Sequence, residues 1–297
     1  MKARAYAKVN FDLRIKPKRD DGFHPLRGIF QTIDWCDEIT IEDADRDRIE
    51  VPDGGAPADG TNLAWRAVAI ARNAGRGAHP VRVVVSKRIP SPAGLGGGSA
   101  DGAAALNLAA RMFTVSFDDV RRFAVDLGSD VPFAVVGGTA VVTGRGEFVS
   151  PQPDAAGFAL AIVVPPIDLS TASVYRAWDD MDGPGGPSIS ADALPPALRG
   201  YAPLANDLYP AAVAVDPLVD EWRAELASRW GVPVAMTGSG AALYAYFPTR
   251  SEAEDAVAAA PEGARAARAA EPTTRGWEIL GGYSENGTRH PGLDNGG

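Results

Sequence analysis

Twelve residues, Pro90-Ser-Pro-Ala-Gly-Leu-Gly-Gly-Gly-Ser-Ala-Asp101, constrain this chain more than any other stretch. Upstream, Val81-Arg-Val-Val-Val-Ser-Lys87 has the β-branched density of a buried strand. Downstream, Ser99 to Met112 contains no proline and only Gly102 as a breaker, so it reads as a helix. Glycines at 94, 96, 97 and 98 leave the turn between them almost without side chains, free to adopt backbone angles closed to other residues. Such a turn can aim its N–H groups at an oxyanion, and the helix start adds unpaired donors and a partial positive charge at the same place. The stretch therefore reads as a phosphate cradle, with a flexible strand-to-helix turn as the alternative that composition leaves open.

Two common glycine loops do not fit. A Walker loop needs Gly-x-x-x-x-Gly-Lys-Ser/Thr, and the nearest spacing, Gly55 to Gly60, continues Thr61-Asn62 without a lysine. A dinucleotide turn needs Gly-x-Gly-x-x-Gly, but Gly94-Leu-Gly96 is followed by Ser99 at the third position. It also needs an acid ending a strand about 20 residues on, where Phe117 to Leu127 has a helical pattern.

Pro90-x-x-x-Gly94-Leu-Gly-Gly-Gly-Ser99-Ala100 resembles the second motif of the GHMP small-molecule kinases, whose loop wraps the phosphates of ATP. Ala7-Lys-Val-Asn10, Asp21-Gly-Phe-His24, Gly128-Ser-Asp-Val-Pro-Phe133 and Thr237-Gly-Ser-Gly240 join it in register from about residue 3 to about 250. Together they are similar to the branch of that superfamily whose acceptor is the 2-hydroxyl of a cytidine-diphosphate-linked methylerythritol, in the non-mevalonate isoprenoid pathway. The resemblance implies an α+β, two-lobed fold. A ribosomal-protein-like N-terminal lobe would cover 1–152 and a C-terminal α/β sandwich lobe 153–283, with 284–297 a disordered tail.

It also implies roles. ATP would be bound by Pro90, Ser91, Pro92, Ala93, Gly94, Leu95, Gly96, Gly97, Gly98, Ser99 and Ala100, with Asn62 and Lys87 nearby, and Mg²⁺ would take Ser99 as a ligand. The catalytic pair would be Lys8 and Asp130. Asn10, Phe23, His24 and Tyr175 would bind the acceptor, Phe23 and Tyr175 stacking on cytosine and His24 reading its edge. Phe23 stands where the family usually has tyrosine, which keeps the ring face and loses a hydroxyl. Tyr209 likewise replaces a usual glutamate.

The residues themselves allow plainer readings. Ala5, Ala7, Val9, Phe11, Leu13 and Ile15 alternate with Tyr6, Lys8, Asn10 and Asp12, as in a half-buried edge strand with a solvated polar face. Asp130 precedes Val131-Pro132 and could be a helix cap, as could Asn62 before its own helix. Lys87 could be a solvated strand end, His24 a structural histidine, and Tyr175 a core aromatic. Residues 28–51 suggest a hairpin of Ile29–Ile33 and Glu38–Ile41, and the glycine- and proline-rich 182–203 suggests a mobile surface loop.

Composition limits the partners. A balance of 29 basic against 38 acidic residues gives a net charge of −9, which argues against a nucleic-acid or anionic-membrane surface, including an RNA-binding use of the ribosomal-like lobe. The longest apolar run, Phe158 to Val164, is far short of the roughly 18 residues of a membrane helix. The opening Met-Lys-Ala-Arg-Ala-Tyr has no signal-peptide core and Cys36 is a single cysteine, so a cytoplasmic protein, monomeric or a weak homodimer, is expected. Three functions are carried forward: the kinase of the cytidine-linked alcohol, a homoserine- or mevalonate-type kinase of the same superfamily, and a non-catalytic nucleotide-binding regulator.

Overall fold

A computed structural model describes residues 1–20 and 22–281; Asp21 of the predicted arm and the predicted tail at 284–297 lie outside the described residues. The chain begins with two long antiparallel strands, β1 (Lys2–Ile15) and β2 (Leu26–Asp43). The expected hairpin within 28–51 is instead one 18-residue strand. From Asp34 to Ile41 its burial alternates residue by residue, and no glycine or proline interrupts the pattern at Trp35 and Cys36.

The plainer reading of β1 as a half-buried edge strand does not hold. The strand lies between β2 and the late strand β13 (Trp277–Leu280), and Lys8, Asn10 and Asp12 are all buried. Nor does its apolar row keep one face. Register shifts between Tyr6 and Lys8 and between Asn10 and Asp12 each turn the strand over. Ala3 and Ala5 therefore pack under helices, Ala7, Val9 and Phe11 against the second sheet, and Leu13 and Ile15 in a third cluster.

β2 branches. Its C-terminal half pairs β4 (Val81–Ser86), which is joined in parallel by β3 (Arg48–Glu50), while its N-terminal half pairs β5 (Thr139–Gly144), joined by β6 (Phe148–Pro151). Four helices accompany this sheet: α1 (Leu63–Ala74), α2 (Gly97–Met112), α3 (Phe117–Leu127) and α4 (Val131–Val136). The small residues of α2 let it sink into the core, with Ala103, Ala104, Ala105, Leu106, Leu108 and Ala109 fully buried. At Gly102 even a Cβ would meet the Leu63 Cβ at 3.3 Å.

The second sheet is antiparallel in the order β10 (Ala235–Met236), β11 (Leu243–Phe247), β7 (Ala159–Val164), β12 (Ala266–Ala270). All six residues of β7 are buried, which explains a continuous apolar run too short for a membrane. Leu160, Ile162 and Val164 pack with Ala7, Val9, Phe11, Ile29 and Ile33 of the first sheet, so the two sheets share one core cluster. Ala159 and Ala161 sit under α8 (Arg250–Ala258), and Val163 packs in the cluster that holds side chains of α5 (Thr171–Asp180), α6 (Tyr209–Val215) and α7 (Leu218–Trp230).

The 182–203 segment is more ordered than its composition suggests. It contains β8 (Ser188–Ile189), paired with β9 (Leu204–Ala205), and two short 3₁₀ turns, and it buries Leu194 and Leu198 in the core between the sheets. Among the described residues no helix is long and apolar enough to cross a membrane.

Candidate active site

The cradle folds as its glycines require. Gly94 and Gly96 both have positive φ, at 75° and 69°, and Gly96 is the left-handed residue that opens α2. The Ala100 N–H already bonds the Gly96 carbonyl at 2.9 Å, which leaves Gly97, Gly98 and Ser99 as the orphan donors of this helix start. The cradle is pressed from two sides. A Cβ on Gly94 would lie 2.3 Å from the Thr237 carbonyl oxygen, and one on Gly96 would lie 2.9 Å from Lys8 Cγ.

Thr237 opens the third motif, Thr237-Gly-Ser-Gly240, and joins it to both neighbours. Its hydroxyl accepts the Asn10 N–H at 2.9 Å and also lies 3.3 Å from Asn10 Oδ1, while the Ala242 N–H bonds the Ala93 carbonyl. On the other side the Lys8 N–H donates to the Leu95 carbonyl at 2.9 Å. The bulged strand, the cradle and the third motif are thus one hydrogen-bonded unit.

Lys8 is buried, and burial lowers its pKa, opposed by the Asp130 carboxylate. Its Nζ donates to Asn10 Oδ1 at 2.6 Å, stands 3.7 Å from Asp130 Oδ2 and lies 5.3 Å from the centre of the Phe30 ring. Asp130 occupies the cap position of α4, yet its side chain makes no capping hydrogen bond. The capping reading thus has no bond behind it, and the carboxylate faces the lysine.

A cavity of about 890 Å³ runs along this unit, large enough for a nucleotide and a second phosphorylated ligand. Its wall includes Lys8, Asn10, Phe23, His24, every residue from Pro90 to Ser99, Asp130 and Tyr175. Ala100, Asn62 and Lys87 are not part of that wall. Ala100 is buried behind it. Asn62 caps α1, its Oδ1 accepting the Ala64 N–H at 2.9 Å and its Nδ2 donating to the Pro57 carbonyl at 2.7 Å. Lys87 is no solvated strand end: its Nζ is held between Asp37 Oδ2 at 2.5 Å and Asp101 Oδ2 at 2.7 Å. Burial works against its charge, but Asp101 and Asp37 more than offset it and raise its pKa; burial pushes the Asp101 carboxyl up against the pull of Lys87.

Aromatic residues gather on the same cavity wall. The His24 ring lies 5.3 Å from Tyr175 and 5.4 Å, edge-on, from Trp178, with Nε2 3.3 Å from Asp179 Oδ1 and Nδ1 3.1 Å from the Lys16 carbonyl. Burial, and then the charge of Asp130, raise the Tyr175 pKa, so its hydroxyl stays protonated. The Arg145 guanidinium stacks 3.4 Å from the centre of the Phe23 ring. Ser239, from the Thr237–Gly240 motif, also lines the cavity, as do Lys18, Arg145, Arg176 and Thr171, to which the sequence reading gave no binding role. The basic ones supply the local positive charge that phosphorylated ligands need on a chain of net charge −9. In sequence they look like any exposed base; only Arg145, set between Gly144 and Gly146, carries a turn signal. Among the described residues no cluster of histidine, cysteine and carboxylate side chains could hold a metal by itself.

Residues 62–138 match the GHMP kinases N terminal domain. Curated relatives named 4-diphosphocytidyl-2-C-methyl-D-erythritol kinase include that of Kineococcus radiotolerans, 38% identical over 255 residues that cover 80% of this chain and 78% of the relative. That of Moorella thermoacetica is 38% identical over 254 residues, covering 81% and 87%. A crystal structure of 4-(cytidine 5'-diphospho)-2C-methyl-D-erythritol kinase superposes with a TM-score of 0.76 at 31% identity, covering 92% of this chain and 99% of the other. A homoserine kinase from Cytophaga hutchinsonii shares the fold at TM-score 0.67 and 15% identity, covering 94% and 97%. With a phosphate cradle, a lysine–carboxylate pair and an aromatic arm around one cavity, and with relatives alike over most of their length, the chain belongs to the 4-diphosphocytidyl-2-C-methyl-D-erythritol kinase family of the GHMP kinases.

Proposed function

We propose that this cavity transfers the γ-phosphoryl group of ATP to the 2-hydroxyl of 4-diphosphocytidyl-2-C-methyl-D-erythritol. The chain is a small-molecule kinase of the non-mevalonate isoprenoid pathway. The observation that carries the mechanism is the meeting of Lys8 and Asp130 on one wall with the cradle and the His24–Tyr175 arm.

The orphan amides of Gly97, Gly98 and Ser99 hold phosphate oxygens at the positive end of α2. Asp130 orients the acceptor hydroxyl and takes its proton as the oxygen attacks the γ-phosphorus and the bond to the β-phosphate oxygen breaks, releasing ADP. Lys8 pairs with that carboxylate and neutralises charge building on the transferring group. The cytosine is held by Tyr175 and Phe23, with His24, fixed by Asp179 and the Lys16 carbonyl, at its edge. The Ser99 hydroxyl on the cavity wall would be the protein oxygen for Mg²⁺, with phosphate and water supplying the rest of its shell; bound, it would neutralise phosphate charge. Lys87, held off the wall, is left out of the ATP ligands.

The alternatives lack support of their own. The homoserine kinase likeness, at 15% identity, speaks for the fold alone, and a silent nucleotide binder has no use for a buried lysine facing a carboxylate. ADP release measured with the cytidine-linked tetritol, homoserine and mevalonate in parallel decides among them. Turnover with the first alone is expected; turnover with another acceptor, or with none, would overturn the assignment.

A further inference from the structure

We propose that Asp37, Lys87 and Asp101 form a buried clamp that fixes both ends of the phosphate cradle, making them positioning residues for ATP. This rests on the cradle's role in the reading above. The cradle leaves β4 after Ser86 and enters α2 at Gly97, and its glycines give it reach without stiffness. Something outside the loop must therefore hold its shape.

The three side chains tie it at entry and exit. Asp37, on β2 and wholly buried, accepts the Arg88 N–H at 2.5 Å and the Ile89 N–H at 2.8 Å through Oδ1. Trp35, on the same strand, donates from Nε1 to the Arg88 carbonyl at 2.9 Å. The two residues that lead into the cradle are thus pinned to the sheet. Lys87 then spans from Asp37 Oδ2 to Asp101 Oδ2 in α2, at 2.5 and 2.7 Å, and so ties the sheet to the helix whose amides face the cavity. Its ammonium lies 3.3 Å from where a Gly97 Cβ would stand, at the first residue of that helix.

Stability alone is a poor reason for this cluster. Two buried carboxylates share one ammonium, and Asp101 Oδ1 has no partner among the described residues. Apolar residues of similar volume would serve a merely structural role as well or better. A directional network spanning three elements does what apolar packing cannot, which is to set where the loop sits. The Leu95 carbonyl bonds the Lys8 N–H, so a cradle that shifts carries the catalytic lysine with it.

The test is steady-state kinetics on the full chain with ATP and the acceptor varied separately, together with calorimetric binding of ADP. Lys87→Met and Asp101→Leu should each raise the KM for ATP and lower kcat by about tenfold, leaving the KM for the acceptor unchanged. Asp101→Asn, which keeps an acceptor for Lys87, should stay within about threefold of the parent even if the other variants fold poorly. The double variant should be no worse than either single one, since each already opens the clamp. If Asp101→Leu binds ADP as tightly as the parent or tighter, Lys87 is a direct ligand and the clamp is wrong. Equal effects on both KM values would also overturn it. Weakened ADP binding in the clamp variants of a chain that fails to phosphorylate the acceptor would support the clamp and sink the kinase reading instead.

Discussion

The ammonium of Lys8 and the carboxylate of Asp130 face one another at 3.7 Å, one from a bulged strand and the other from the turn before α4. The separation exceeds the 2.6 Å bond from the same ammonium to Asn10, which holds the lysine from the side and leaves the carboxylate open to an acceptor hydroxyl. Replacing Lys8 by Met or Asp130 by Asn should cost about 3 kcal/mol in the transition state, or 10²- to 10³-fold in kcat, with little change in ATP affinity. Steady-state kinetics with ADP binding in parallel check this. Near-parental kcat with a raised KM would make the pair a binding element.

The same pair sets an alkaline limit. Burial lowers the Lys8 pKa from its ordinary value of 10.5 and Asp130 partly restores it. Turnover that needs the ammonium should therefore fall as pH rises, at a pH below the ordinary lysine range. In Asp130→Asn the restoring charge is gone, so the alkaline limb of the residual kcat should move to lower pH. A limb that stays in place would show that Lys8 does not titrate in it.

The strand, turn and helix that build the cradle were legible in the sequence because local rules set those elements. β4, the cradle and α2 follow from a β-branched run, four glycines and a proline-free alanine stretch, and Ser116 and Gly128 bound α3 as caps do. The bulges of β1 were not legible, because a register shift is set by the partner strand and leaves no mark on residue type. β12 was missed because Ala266-Ala-Arg-Ala-Ala270 has neither β-branched residues nor clear alternation. The Asp37–Lys87 contact joins residues far apart in sequence, and nothing near Asp37 announces it.

Glycines of equal φ should differ in tolerance. At Gly94, φ is +75° and a Cβ would lie 2.3 Å from a backbone oxygen; at Gly22, φ is +82° with nothing within 4 Å among the described residues. Gly22→Ala should cost about 1 kcal/mol from backbone strain alone. Gly94→Ala should cost more than about 2 kcal/mol because strain and overlap add. Urea unfolding of the two variants gives the comparison; equal losses would mean that the Thr237 turn yields freely.

The acceptor end should respond separately from the ATP end. Tyr175 packs beside His24 on the cavity wall, on α5 and not in the cradle. Loss of base stacking is worth about 1–3 kcal/mol, so Tyr175→Ala should raise the acceptor KM by roughly 10- to 100-fold with the ATP KM unchanged. Tyr175→Phe keeps the ring and should stay near the parent. A matching loss in the phenylalanine variant would assign the effect to the hydroxyl rather than to stacking.

Stability at high pH should be governed in part by the core between the sheets. Tyr244 and Tyr246 are buried there, and burial raises both pKa values above the ordinary 10.0. Below pH 10 both phenols are protonated whether the chain is folded or not, and the full stability is present. Above it the unfolded chain releases protons that the folded chain retains, so stability falls as pH rises. Each such phenol contributes up to about 1.4 kcal/mol per pH unit between the two pKa values. The Tyr246 hydroxyl meets only that of Tyr244, at 3.4 Å, among the bonds of the described residues, whereas Tyr244 also donates to the Asn10 carbonyl at 2.9 Å. Tyr246→Phe is therefore the cleaner variant, and it should flatten the decline of unfolding free energy above pH 10 while changing little at neutral pH. Urea melts at several alkaline pH values measure that slope directly. A variant whose slope matches the parent's would show that this phenol ionises as readily in the fold as in the unfolded chain.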